Sequence, residues 1–344
     1  MNKSERKRCK VLFLDSKSHY KEMVTTGSNF VFNGGIKTLV GLIDLNNVNF
    51  VVFRVHDSFL NSLTTKWLTL RNVLVVHILD GVFEWKNSYR SKHERYVLNT
   101  CSYDCVLASV NNLTYAYLTI MREVIKYQNK RILEPRLESI NYANNTTILI
   151  TTANKAYFDK GEFTRLIKII KNTKNEIISL GISYKFRIFD KKIIEALEID
   201  SADNYIHCSF NEAIVDISVV LTTASTISLE AMANCRRVGH FLYRNCPITV
   251  PAAWYFHESG DYRSTLSEIT MNVPIRNDVF QQAILKEYTD DAINLDSETM
   301  KNMSIAFNNK PKFRWFERFD FAWRLIYEAV KARSFVRYVR GKIL

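Results

Sequence analysis

The chain has 344 residues, carries 47 basic against 35 acidic side chains for a net charge of +12, and is 47% apolar. That is long for one domain and ample for two cores, while only 10 Gly and 5 Pro exclude low-complexity or repeat architecture. No apolar run approaches the roughly 20 residues that a membrane span needs, and the positive surplus attracts polyanions without choosing among nucleic acid, anionic lipid and acidic glycan.

The basic stretch 1–10 leads into only four apolar residues, 11–14, too short for a signal-peptide core and better read as a first strand. A cytoplasmic protein with reduced thiols is therefore expected. Residues 50–55, 74–78 and 105–108 are further strand candidates, a Gly34-Gly35 turn opens a helix reaching 43, and 109–126 reads as another helix. Strands alternating with helices predict a parallel sheet with right-handed crossovers. Residues 131–145 are polar, contain Pro135 and lose periodicity, which places an interdomain linker there. A second α/β run follows. Strands are expected at 147–151, 183–189, 205–208, 217–221 and 238–242, and helices at 160–171, 190–197 and 211–215. From about 262 the chain reads as mainly helical. The expected division is a domain over 1–135, a second over 146–310 and a helical basic tail over 311–344. In the last 14 residues Lys331, Arg333, Arg337, Arg340 and Lys342 alternate with Phe335, Tyr338, Val339, Ile343 and Leu344, without an acid. Such a tail suits docking on an anionic membrane face, at ~1 kcal/mol per basic residue, and equally suits a solvated helix packing its aromatic side on the core.

The six cysteines form no Cys-x-x-Cys pair, and no His lies at metal-ligand spacing from the Cys101/Cys105 pair. There is no Gly-x-Ser-x-Gly, no P-loop, no Gly-x-Gly-x-x-Gly and no Asp-x-Asp, so serine hydrolysis, P-loop and dinucleotide chemistry are poorly supported. No cofactor and no metal requirement are expected.

The most informative stretch is 216–234. A buried strand runs into Thr222-Thr223-Ala224-Ser225-Thr226, and a helix then opens with Leu229, Met232 and Ala233 at helical spacing. Ser225 or Thr226 can cap that helix, whose unpaired N–H groups and positive dipole end make a seat for phosphate. Glu230 lies about one turn in, within reach of a ribose hydroxyl. A plain well-capped helix is the alternative. Thr151-Thr152-Ala153-Asn154-Lys155, after an earlier strand, offers a second polar wall to a phosphate or nucleotide pocket. Asp80-Gly81 after a strand reads as a turn, with Glu84 the nearest spare carboxylate. His56-Asp57 is another polar pair at a strand end, bordering an acceptor site. His77 reads as buried, His207 as structural and Arg236-Arg237 as a surface turn. Trp254 to Glu258 reads as a loop that either stacks on a nucleotide base or plugs a core.

The pattern Thr-Thr-x-Ser-Thr-x-x-x-Glu-Ala-Met-Ala resembles the donor-phosphate segment of GT-B glycosyltransferases. In particular it is similar to bacterial enzymes that build surface polysaccharides, including sialyltransferases, Kdo transferases and glycerophosphotransferases. The resemblance implies two Rossmann-like domains facing across a cleft, with C-terminal helices. It implies Asp80 as general base, matching the second acid of a motif whose first acid is replaced here by Leu79. Arg187 and Ile188 stand where the family carries His and Pro, so Arg187 can grip phosphate but cannot act as an acid. It also implies that Thr223, Ser225 and Thr226 hold the leaving phosphate and that Glu230 touches ribose. The expected activity is inverting transfer of a sugar to a bacterial surface glycan (capsule, O-antigen or lipooligosaccharide), with CMP-sialic acid or CMP-Kdo preferred as donor. A UDP-sugar, GDP-sugar or CDP-glycerol donor is the alternative. Because Leu79 and Arg187 depart from the pattern, a non-catalytic polyanion-binding protein stays open as a different class. For the transferase, no nucleic acid partner is expected, and a peripheral position on the inner membrane face is.

Overall fold

The computed structural model of the chain describes residues 10–21, 23–24, 30–39, 43, 48–54, 59–71, 73–79, 81–83, 103–121, 123–133, 146–154, 156–245, 248–271, 276–296, 298–300 and 302. The expected basic tail lies outside them. The described residues fall into two compact units: those of Met1–Ile78, His93–Leu107 and Leu295–Leu344 in one, those of Leu79–Lys92 and Ala108–Asn294 in the other.

The first sheet takes β1 (Lys10–Phe13), β2 (Phe30–Val31), β3 (Val48–Phe53), β4 (Leu74–Ile78), β5 (Cys105–Ala108) and β6 (Glu123–Lys126) in the order β2-β1-β3-β4-β5-β6. The pairs β1–β2, β1–β3, β3–β4 and β4–β5 are all parallel. Helices α1 (Gly34–Leu39) and α2 (Phe59–Leu70) cross between them. β4 is buried at every position, as a continuous Leu-Val-Val-His-Ile run requires when both faces of a parallel sheet are covered. His77 is buried as expected, its ring stacked on Phe53 with centroids 4.5 Å apart.

The second sheet has the order β11-β10-β9-β7-β8, parallel throughout: β7 (Thr147–Thr151), β8 (Ser183–Arg187), β9 (Val219–Thr222), β10 (Arg237–Leu242) and β11 (Trp254–His257). Strand alternation divides its core. Ile148, Ile150, Val219 and Leu221 face α5 (Lys160–Ser179), α6 (Lys191–Leu197) and α9 (Tyr262–Ile269). Leu149, Val220 and Val238 face α4 (Lys130–Leu133), α7 (Phe210–Ala213), α8 (Thr226–Ala233) and α10 (Arg276–Thr289). Helices on both faces make this a doubly wound, Rossmann-like unit. Gly239 permits the tight layer, since a Cβ there would sit 2.7 Å from the Phe256 ring and 2.8 Å from Leu221.

Three expectations change. The helix expected over 109–126 is α3, Asn112–Met121, started by Asn111 Oδ1 accepting from Thr114 N–H at 2.9 Å. Its C-terminal part is instead β6, whose β-branched Val124-Ile125 pair suits a pleated edge. No strand forms over 205–208. Asn204 takes that place on β8, its amide bonding both the N–H and the carbonyl of Ile188 at 2.9 Å. The Trp254 to Glu258 stretch is not a stacking loop, because Trp254–His257 is edge strand β11, with Trp254 and Phe256 buried. The short edge strands β2 and β6, the strand β11 and the helix α2 carry signals too brief or too mixed to be read from periodicity.

Candidate functional site

Strands β9, β7 and β8 are neighbours and parallel, so their carboxyl ends open on one edge of the second sheet, where doubly wound folds bind ligands. Thr151 to Asn154 follow from β7, Arg187 ends β8, and Thr222 to Thr226 follow from β9. Ala153 N–H donates to Thr223 Oγ1 at 2.9 Å and Thr151 Oγ1 donates to Arg187 O at 2.6 Å, so the three strand ends are knitted together. Thr151, Thr152, Asn154, Arg187, Thr222, Thr223, Ser225 and Thr226 are thus gathered along one edge. Asp80, Glu84, His56, Asp57 and Lys155 lie outside the described residues.

α8 is a buried helix, with Ser228 to Ala233 all inside the core. Its positive end, Ala224 to Ile227, is half-buried, and the helix dipole there favours an anion. The helix opens without an internal side-chain cap. Ser225 occupies the N-cap in extended geometry, and its hydroxyl has no hydrogen-bond partner among the described residues. Thr152, only 1% exposed, likewise has an unpartnered Oγ1. Contrast α5, where Asp159 caps through Glu162 N–H at 2.8 Å and Glu162 answers by accepting from Phe158 N–H at 2.8 Å. The β9–α8 turn therefore leaves open what α5 fills for itself. Glu230 is buried at 4% exposure, and Asn234 closes the helix by donating to its backbone carbonyl.

Beneath the turn sits His240, opposite Thr222 in the β9–β10 register and fully buried. Its Nε2 lies 2.7 Å from Ser228 Oγ, and that hydroxyl lies 3.5 Å from Thr223 O, while Nδ1 has no partner among the described residues. The arrangement that places every proton has Nε2–H donating to Ser228 and Ser228 donating onward to Thr223. Burial holds the imidazole at about 3, so it is neutral at physiological pH and serves as a scaffold under the turn. A histidine in an otherwise apolar strand was the sequence signal for this pair.

The cations are committed elsewhere. Arg187 donates to Cys208 O at 3.1 Å and lies over the rings of Phe189 and Phe210. Arg236 and Arg237 are no surface turn. They are 2% and 1% exposed, Arg236 bonding the carbonyls of Ile214 and Asn234. Arg237 forms a two-point bond with Asp278 at 2.7 and 2.8 Å. A doublet of arginines after a helix looks like surface; partners up to 41 residues away in sequence make it core. His207 lies in a turn outside any strand, as its structural reading allows.

Leu79 and residues 81–83 belong to this same unit. Val82 N–H donates to Thr226 Oγ1 at 3.1 Å, Tyr127 Oη donates to Leu79 O at 2.7 Å, and Phe83 is buried beside Tyr117.

Comparison with solved structures places this architecture. The chain is similar to the S. aureus MnaA–UDP co-structure, at 14% identity and TM-score 0.53, over 88% of this chain and 99% of that one. It is also similar to an α,α-trehalose-phosphate synthase (UDP-forming) from Burkholderia vietnamiensis, at 8% identity and TM-score 0.49, over 87% and 99%. A third is the wall teichoic acid polymerase TagF, at 13% identity and TM-score 0.47, over 93% and 90%. No family model matches the chain, and no curated protein matches it. At 14% identity the likeness to the MnaA structure is one of fold: two Rossmann-like α/β units, the GT-B class.

Proposed function

We propose that the chain is a GT-B glycosyltransferase whose second unit holds a nucleotide-activated sugar by its phosphate. The observation that carries this reading is helix α8, opened by Ser225, with Thr152 at the end of the neighbouring strand, two hydroxyls without partners among the described residues. Unfilled donors at the positive end of a helix, on the ligand-binding edge of a doubly wound sheet, suit an anionic phosphate.

In the proposed reaction an acceptor hydroxyl oxygen attacks the anomeric carbon of the donor sugar. The carbon–oxygen bond to phosphate breaks, and its electron pair stays on the phosphate oxygen. Helix α8 and the hydroxyls of Thr152, Thr223, Ser225 and Thr226 stabilise that developing charge. The acceptor proton passes to a carboxylate, and the resemblance assigns this to Asp80. Direct displacement inverts the anomeric centre. The donor reading rests on the Asp80-Gly81 and Ser/Thr resemblance and favours CMP-sialic acid or CMP-Kdo, with a UDP-sugar, GDP-sugar or CDP-glycerol as alternative. A bacterial surface glycan is the proposed acceptor, and the basic tail suits an anionic membrane face.

A thermal-shift panel of CMP, CDP, UDP, GDP and ADP, with and without Mg2+, tests the reading. A nucleotide at 100 times its dissociation constant stabilises the fold by ~2.7 kcal/mol. A shift confined to CMP or CDP supports the cytidine donor, and a UDP or GDP shift moves the assignment to that nucleotide. Silence across the panel from folded protein, joined to salt-dependent polyanion binding, points instead to the binding protein.

A further inference from the structure

The contact between Gly81-Val82 and Thr226 has a tightness that a simple turn does not require. A Cβ on Gly81 would stand 2.5 Å from Thr226 Oγ1, a separation real side chains essentially never show. The next residue, Val82, spends its backbone N–H on that same oxygen at 3.1 Å. The segment is anchored around this point as well. Leu79 O accepts from the fully buried Tyr127, Val82 packs against the core cluster that includes Leu229 and Met232, and Phe83 is buried. Gly81-Val82 is therefore fixed against the first turn of α8.

The consequence lies in the hydroxyl's proton. Thr226 Oγ1 has one proton to give and accepts the Val82 N–H on a lone pair, while no acceptor for the Thr226 proton occurs among the described residues. An oxygen that accepts from an amide becomes a stronger donor, because the two hydrogen bonds polarise each other. With one lone pair occupied, the hydroxyl is held with its proton available to an incoming acceptor. The neighbouring unpartnered hydroxyls of Ser225 and buried Thr152 mark where that acceptor would sit, Ala153 being tied directly to Thr223.

We propose that Gly81-Val82 is a positioning element of the anion seat, orienting the Thr226 hydroxyl as a hydrogen-bond donor to the phosphate of the bound nucleotide. This rests on the nucleotide reading above and adds to it a role for residues 81 and 82. Gly81 is needed because nothing larger lets Val82 N–H reach the oxygen, and Thr226 is the group through which it acts.

A double-mutant cycle tests this, with dissociation constants for CMP, CDP, UDP and GDP measured by titration calorimetry on the full chain. Gly81→Ala and Thr226→Ala are each expected to weaken the bound nucleotide about tenfold, the scale of one charge-assisted hydrogen bond. Thr226→Ser should stay near wild type. The double variant should bind no worse than Thr226→Ala alone, because without Oγ1 the added Cβ meets only the Thr226 Cβ position at 3.7 Å. If Gly81→Ala fails to fold while the double variant folds, the close approach itself is demonstrated. Additive losses, or normal binding by Gly81→Ala, overturn the positioning role and leave the nucleotide reading intact. Absence of nucleotide binding by folded wild-type protein overturns both.

Discussion

Two neighbouring strand ends in the second unit handle polar groups in opposite ways. At the end of β8, Arg187 is engaged by the Cys208 carbonyl and two aromatic rings, and Thr151 donates to the Arg187 carbonyl. At the end of β9, Ser225 is left without a partner and Thr226 only receives, while Thr152 beside them is buried and unpaired. The β8 end is tied by protein carbonyls and rings, whereas the β9 end keeps two hydroxyls without partners among the described residues. Polar groups left open in a buried setting cost stability, and such costs concentrate where a ligand repays them. On the proposed reading a phosphate is met by a helix terminus and hydroxyls, while the buried Arg236 and Arg237 bond protein carbonyls and Asp278.

The sharpest way to break this comparison is at its structural half. Arg237→Ala removes a buried guanidinium bonded to Asp278 and to the Ile269 carbonyl, and should destabilise the second unit by about 3 kcal/mol in denaturant unfolding. A loss below about 1 kcal/mol would mean the arginine is not the clamp described here.

Acid should reveal His240. Its folded value is held at about 3 against an ordinary 6.5, so the unfolded chain binds a proton that the folded chain refuses. Its effect is nil above pH 6.5, and stability is lost progressively as pH falls from 6.5 toward 3, by up to ~1.4 kcal/mol per unit. At pH 5 the loss is about 2 kcal/mol. His240→Gln, which keeps a donor for Ser228, should flatten the pH dependence of the unfolding midpoint over that window, and an unchanged slope would refute the assignment.

Thr152→Val separates stability from binding. Replacing an unpartnered buried hydroxyl with an isosteric methyl should leave the fold unchanged or raise its stability by up to ~1 kcal/mol. The same change should reduce the nucleotide-induced thermal shift. Stability lost together with unaltered binding would show that Thr152 belongs with the tied end.

The smallest effect compares two caps. Asp159→Ala deletes a real N-cap bond on α5 and should cost about 1 kcal/mol, whereas Ser225→Ala deletes none on α8 and should cost within ~0.5 kcal/mol. Equal losses in chemical denaturation would mean that Ser225 caps its helix after all.

Much of the architecture was legible. The runs 74–78 and 105–108 are strands to the residue, and 216–234 does run from a buried strand through a hydroxyl turn into a helix. Long apolar runs and helical spacing are local signals, set by which faces a segment must bury. The candidate site was legible as residue types at strand ends, because parallel α/β topology carries those ends to one edge. What failed did so for nonlocal reasons. Asn204 replaces an expected strand with a single amide, β11 pairs through a register set by β10, and Arg236 and Arg237 are buried by carbonyls and an aspartate distant in sequence.

The sequence alone thus determined two α/β units, the β9–α8 turn and its hydroxyls, because periodicity and turn chemistry act over a few residues. Only the tertiary structure decided which of those polar groups are spent. Thr226 meets Val82 across a separation of 144 residues, Thr223 meets Ala153 across 70, and His240 reaches Ser228 from another strand. A side chain's partner is set by what the fold brings within about 3 Å of it, and no local pattern encodes that distance.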